Sequence, residues 1–280
     1  MILVPGSRAF ESMIRVTAFV LVFAAMALWE RFAPRRKQSL MRGVRWPGNL
    51  GVAILNSAAL RVLMPITAVE FAALAAGQRW GLLNHFAIPP LAAIVLAVVA
   101  LDLGIYLQHV MFHAVPALWR IHRMHHADLD FDVTTGVRFH PFEILISMAL
   151  NVGLIAALGT ASIAVLIFEV LLNATSMFNH GNVTISSGID RWLRWLIVTP
   201  DMHRVHHSIA VAETNSNFGF NLSCWDWMLG TYRAQPAAGH AAMTIGIEQF
   251  RARQELRLDR MLAQPFRGGS GAYSITPRAS

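Results

Sequence analysis

Four apolar runs of membrane-span length limit this chain to very few folds. They cover about Met13 to Trp29, about Leu50 to Gly77, Pro90 to about Val110, and Ile144 to about Met177. A helix needs roughly 20 residues to cross a hydrocarbon core. The second run is interrupted by Arg61, Pro65 and Glu70, so part of it is expected to be kinked or interfacial. The fourth is too long for one span, and "LGTAS" at its middle predicts a tight, re-entrant hairpin. Six Lys/Arg follow the first run, in "ERFAPRRKQSLMRGVRW", against two at its start, Arg8 and Arg15. A signal peptide has the opposite order, so the run reads as an uncleaved anchor with its C-terminal end in the cytoplasm. The second run then leads out, the third returns, and the hairpin leaves and returns.

Composition agrees. Only 14% of the 280 residues are charged, where a soluble domain usually carries about a quarter, and mean hydropathy is +0.47. The net charge of +7 comes from basic residues between apolar runs, which topology explains better than nucleic acid does. A lone cysteine, Cys224, excludes an intrachain disulfide framework and a thiolate metal cluster. No nucleotide-binding glycine loop is present.

The expected fold is an all-α integral membrane protein: about four to five transmembrane or re-entrant helices carrying a helical cytoplasmic cap. Residues 1–12 form an N-terminal tail, 13–89 a transmembrane region with a basic cytoplasmic loop, 90–235 the functional domain and 236–280 a polar tail, disordered beyond about Phe266. "IDRWLRWLIV" (189–198) has the Trp and Arg spacing of a helix lying in the membrane interface.

Histidine is concentrated in the cap. "RIHRMHH" holds His122, His125 and His126, and "HRVHHS" repeats the pattern as His203, His206 and His207. His109 and His113 end the third run, His140 precedes the hairpin and His180 follows it, so ten of the 12 histidines fall in five places; His85 and His240 stand apart. Residues three and four apart share a helix face, so each triple offers imidazoles on two diverging directions. An isolated pair of this kind is ordinarily structural. Two HxxHH groups and an HxxxH at a membrane boundary instead describe a metal site. Eight to ten ligands exceed the four to six of one ion, so two ions are implied. Imidazole suits Zn, Cu, Fe and Ni. A closed structural zinc site would use four ligands, commonly cysteine, and the Glu-x-x-His motif of soluble di-iron bundles is absent.

These residues resemble the membrane fatty acid hydroxylase and sterol desaturase superfamily, the histidine-rich di-iron oxygenases. The resemblance rests on "DLGIYLQHVMFH" (102–113), "HRMHH" (122–126), "TTGVRFHPFE" (134–143), "NHGN" (179–182), "TPDMHRVHHS" (199–208) and "NFGFNLSCWDWMLGTY" (217–232), covering roughly 90 to 235. It implies two iron ions held by these ten histidines, O₂ as cosubstrate, a lipid substrate, and electrons from an external cytochrome b5-like or ferredoxin-like protein. No catalytic residue is expected beyond the metal ligands. Some relatives carry a histidine where this chain has Ser176, a nitrogen that His140 would replace.

Five residues are expected around the ligands. Asp102, two turns before His109, either orients that imidazole or bridges helices. Tyr106 is outer-sphere or core, Asn179 and Asn182 hold the turn at His180, and Glu143 pairs with Arg138 as a brace. Trp225, Asp226 and Trp227 are expected to fix the cap to the membrane surface.

The activity implied is O₂-dependent hydroxylation or desaturation of a sterol, fatty acyl or related lipid. The alternative is a metal-binding or transporting membrane protein, although transporters place ligands near the bilayer midplane. A bis-histidine haem protein would use only two of the histidines. The implied location is the inner membrane of a bacterium or the endoplasmic reticulum of a eukaryote, with the site facing the cytoplasm.

Overall fold

The computed structural model describes residues 7–275. Among them the chain is helical, with three isolated bridges and no β-strand. Helix α1 (Arg8–Phe32) starts where Ser7 Oγ accepts from the Phe10 N–H. Helix α2 (Arg42–Leu63) stops just before Pro65, which cannot continue a helix. Helix α3 (Ala68–Gly77) restarts on a reciprocal capping box between Thr67 and Glu70. Helices α4 (Pro90–Ala114), α6 (Pro141–Leu158) and α7 (Ser162–Asn179) complete the bundle. Five helical segments are long and apolar enough to cross a membrane, counting 42–85 as one. The hairpin turns at Gly159, whose φ of +71° ends α6 in the left-handed conformation that suits glycine.

The interrupted second region is resolved by α3. Val69 O accepts from Ser162 Oγ at one end of α3, and Asn84 Nδ2 beyond its other end donates to Gly159 O. Helix α3 thus lies across the α6–α7 turn, at the end of the bundle opposite the histidines. Its Ala68, Val69 and Ala72 share a buried cluster with Leu101, Ile155, Val165 and Phe168.

At the histidine end the cap begins with α5 (Pro116–His126), separated from α4 by Val115 alone. Helices α8 (Ser187–Leu193), α9 (Pro200–His206), α10 (Val211–Thr214) and α11 (Cys224–Met228) follow α7. The helix expected over 189–198 is shorter, since α8 ends at Leu193; Ile189 and Trp192 on it and Trp195 and Leu196 in the turn beyond it are exposed. Beyond α11 the chain does not detach. Short helices α12 (Gly239–Ala242) and α13 (Leu258–Ala263) pack on the cap, and buried Tyr273 stacks on Trp119 with centroids 5.7 Å apart. The disorder expected beyond Phe266 is corrected through Ile275, whose N–H donates to His113 O at 3.0 Å. That tail covers α5, a face its polar composition does not advertise. The rest of that expectation, 276–280, and the first half of the expected N-terminal tail, 1–6, lie outside the described residues.

Candidate metal centre

Two short breaks gather the imidazoles. The one-residue link between α4 and α5 folds His122 against His113, ring centroids 5.0 Å apart. Helix α9, started by Thr199 and Pro200, delivers His203 and His206, with His207 capping its end. His180 caps α7. The result is two groups: His109, His113, His122, His126 and His206 in one, and His125, His180, His203 and His207 in the other. Within each, one nitrogen per residue lies within 4.8 Å of all the others. Each HxxHH triple is divided between the groups, as diverging side-chain directions require.

Six of these imidazoles are held by their outer nitrogen. His109, His125, His180 and His206 donate through Nδ1 to the carbonyls of Phe218, Arg138, Ser176 and Ser216, at 2.7 to 3.2 Å. His113 Nδ1 meets Asn215 Oδ1 at 3.1 Å, and His122 Nδ1 meets Glu143 Oε1 at 2.7 Å. A carbonyl can only accept, so in a neutral ring Nδ1 carries the proton and Nε2 keeps its lone pair. Burial, followed by the neighbouring imidazoles, drives His125, His126, His203, His206 and His207 well below their usual pKa. Burial likewise brings His180 down to about 3. These rings are neutral at pH 7.

The inner nitrogens fit a cation. His125 Nε2 and His180 Nε2 stand 3.1 Å apart with both protons committed outward, leaving lone pair against lone pair. His203 and His207 bring Nε2 to 3.0 and 3.2 Å of His180 Nε2. In the other group, Nε2 of His109, His113 and His206 is buried without a hydrogen-bond partner. Unpaired buried acceptors cost about 1–3 kcal/mol each. A metal ion is the group that accepts so many converging lone pairs, and outer partners of this kind are usual for metal-bound histidine.

The remaining expected residues are placed differently. His140 joins neither group: its Nδ1 accepts from the Phe142 N–H to start α6, and Nε2 lies 3.3 Å from Leu262 O. Asp102 does not reach His109. It accepts from the Asn221 and Leu222 N–H groups and from Trp225 Nε1, which makes it the interhelical alternative. Tyr106 pairs its hydroxyl with Thr231 Oγ1. Glu143 holds His122 rather than Arg138, which instead donates to Asn49 Oδ1 and Met124 O. Asn179 donates to Phe220 O, and Asn182 clasps Arg36 through both backbone groups. Asp226 is buried, not at a membrane surface: it accepts from the Phe218 and Gly219 N–H groups and from Thr231 Oγ1. Burial pushes it up to about 6 against those three bonds.

Sequence reading missed Asn215, Ser216, Phe218 and Arg138 as outer partners. Three of them act through a backbone carbonyl, which no side-chain pattern encodes. A signal did exist for the buried ion pairs behind α5. "HHADLDFD" places three carboxylates inside an apolar chain, and Arg45 answers two, bidentate to Asp128 at 2.7 Å and to Asp132 at 2.6 Å.

Apolar spans under a helical cap, with nine buried imidazoles aimed inward, define a multi-pass membrane protein able to hold metal between its cap and its helix ends. Residues 94–231 match the fatty acid hydroxylase family. An ornithine lipid hydroxylase from Rhizobium tropici is 29% identical over 267 residues, covering 92% of this chain and 78% of that protein. The human alkylglycerol monooxygenase is 29% identical over 140 residues, half of this chain and 30% of the relative. Rat cholesterol 25-hydroxylase is 27% identical over 150 residues, 52% and 48% of the two lengths. No solved structure gives a significant match. The chain belongs to the fatty acid hydroxylase superfamily.

Proposed function

We propose that this protein is an O₂-dependent lipid hydroxylase holding two iron ions, one in each histidine group. The observation that carries the reading is the division of nine buried, inward-facing imidazoles into two groups of five and four. When bound, the iron pair would supply O₂ reduction and attack on an aliphatic C–H bond. The protein's own part is to hold the ligands, exclude water and admit an apolar chain. All nine histidines are at most 5% exposed, so bulk water is kept from the centre. Phe112, Phe218 and Phe220 lie against the His109 side of the cluster, an apolar wall suited to an alkyl chain arriving from the bilayer.

Hydroxylation is favoured over desaturation because the relatives named above are hydroxylases and monooxygenases of lipids. An ornithine-type or related membrane lipid is the first substrate class to try, since that relative matches nearly the whole chain. We place the histidine end in the cytoplasm, where the basic loop after α1 belongs. Arg31 at the end of α1, Lys37 on the loop after it, and Arg253 and Arg257 on the tail that borders the cap are exposed and suit an acidic cytochrome b5-like or ferredoxin-like donor. The ten-ligand set is reduced here to nine, with His140 as a helix cap.

The test is to purify the protein in mild detergent, count metal, and supply lipid extract, a reductant with redox protein, and ¹⁸O₂. Close to two irons per chain and one ¹⁸O in a lipid product are expected. Turnover that persists without O₂, or a product oxygen drawn from water, defeats the reading.

A further inference from the structure

One loop orients most of the five-histidine group. Within the four consecutive residues Asn215 to Phe218, three supply the outer partners of three imidazoles: Asn215 Oδ1 for His113, Ser216 O for His206 and Phe218 O for His109. No residue of this loop touches the outer nitrogens of the other group, whose partners are Arg138 O and Ser176 O.

The loop is itself held in a demanding shape. Asn217 has φ of +52°, left-handed for a residue with a Cβ, and its amide bonds to Met202 O and Arg233 O while accepting from the Arg233 N–H. Gly219 follows with no room for a side chain, since a Cβ would fall 2.6 Å from Asp226 Oδ2. The buried Asp226 carboxylate takes the Phe218 and Gly219 N–H groups at 2.8 and 2.9 Å. Asp102, from within α4, takes the N–H groups of Asn221 and Leu222 a little further on. Two carboxylates therefore fix a backbone that fixes three ligands.

Building on the two-ion reading, we infer that Asp226 is a positioning residue for the five-histidine metal alone, acting through the 215–218 loop and making the two metal sites separable. An outer-partner change typically costs 10–100-fold in metal affinity. Displacing three partners together should exceed that and empty one site.

The experiment counts iron by elemental analysis in full-length protein purified in detergent, with a cobalt-substituted visible spectrum as a second readout. Wild type should hold about two ions. Asp226→Asn, which replaces one acceptor oxygen by a donor, should hold about one. Adding His203→Ala, in the other group, should bring the count near zero. Adding His113→Ala, in the same group, should leave it near one. Should Asp226→Asn not be recovered folded, Asn215→Leu removes the His113 partner at similar volume and carries the same expectation in weaker form. The inference is overturned if Asp226→Asn keeps two ions, or if it loses both while remaining monodisperse. It is equally overturned if His113→Ala lowers the count of Asp226→Asn further. A wild-type count of one or none would instead sink the two-ion reading, and this inference with it.

Discussion

The five-histidine and four-histidine groups share the same two triples yet lean on different parts of the chain. The first is oriented by the 215–218 loop and by Glu143. The second is oriented by Arg138 O and Ser176 O, beside the 128–138 segment. That segment is tied down by charge: Arg45 of α2 binds Asp128 and Asp132, and Asn49 donates to Asp128 and Thr134. It is also tied by close approach, since a Cβ on Gly136 would lie 2.5 Å from Ser176 O. The comparison teaches that a compact centre can have two independent foundations. One is a strained loop held by carboxylate-to-backbone bonds, and the other an ion-paired segment held to the N-terminal helices.

The largest way to break this comparison is at Arg45. Arg45→Met leaves Asp128 and Asp132 buried without their cation, a change that costs about 3–5 kcal/mol. A marked fall in apparent Tm in detergent is expected, with part of it restored by adding Asp128→Leu. Below the transition the four-histidine ion should be lost first, and loss of the five-histidine ion instead would show that the foundations are not separate.

A smaller effect sharpens the other side. Glu143→Gln keeps the shape but weakens the charged partner of His122, so iron affinity of the five-histidine site should fall about 10–100-fold. Titration with a competing chelator measures this, and an unchanged affinity would leave Glu143 as a brace only.

The smallest concerns His240, buried outside both groups beside Asp201. Burial brings it down to about 4, below the ordinary 6.5. Its unfolded form therefore binds a proton first, and stability falls as pH drops through 6.5 toward 4. The loss is about 1 kcal/mol near pH 5.5. His240→Gln should flatten that part of the Tm-versus-pH curve without changing the metal count. A lowered count would place His240 in the foundation of His203.

Much of the architecture was legible because hydropathy and helix breakers act locally. Pro65, Gly159 and the apolar runs gave spans, kink and hairpin. Helical spacing puts His109 with His113 and His122 with His126 on shared faces, while the convergence of nine of the ten expected ligands also needs the breaks that start α5 and α9. His140 resembled them in sequence, but as the residue before Pro141 it is an N-cap. What stayed hidden was long-range. Asp102 sits at the spacing that aims toward His109, yet its donors are the Trp225 indole and the Asn221 and Leu222 N–H groups, about 120 residues later. Glu143 was matched to the wrong cation, because burial placed Arg138 under α2 instead.

The covering of α5 by the tail sets a timetable for synthesis. Arg123 and Trp119 donate to the carbonyls of Gln264 and Ser270, 141 and 151 residues downstream. At about 5–20 residues per second, roughly 7–30 seconds pass between translation of the HxxHH helix and arrival of its lid. During that interval His122, His125 and His126 are made but unroofed. On the two-ion reading, α5 thus brings its imidazoles to the centre well before residues 264–270 arrive to cover its other contacts.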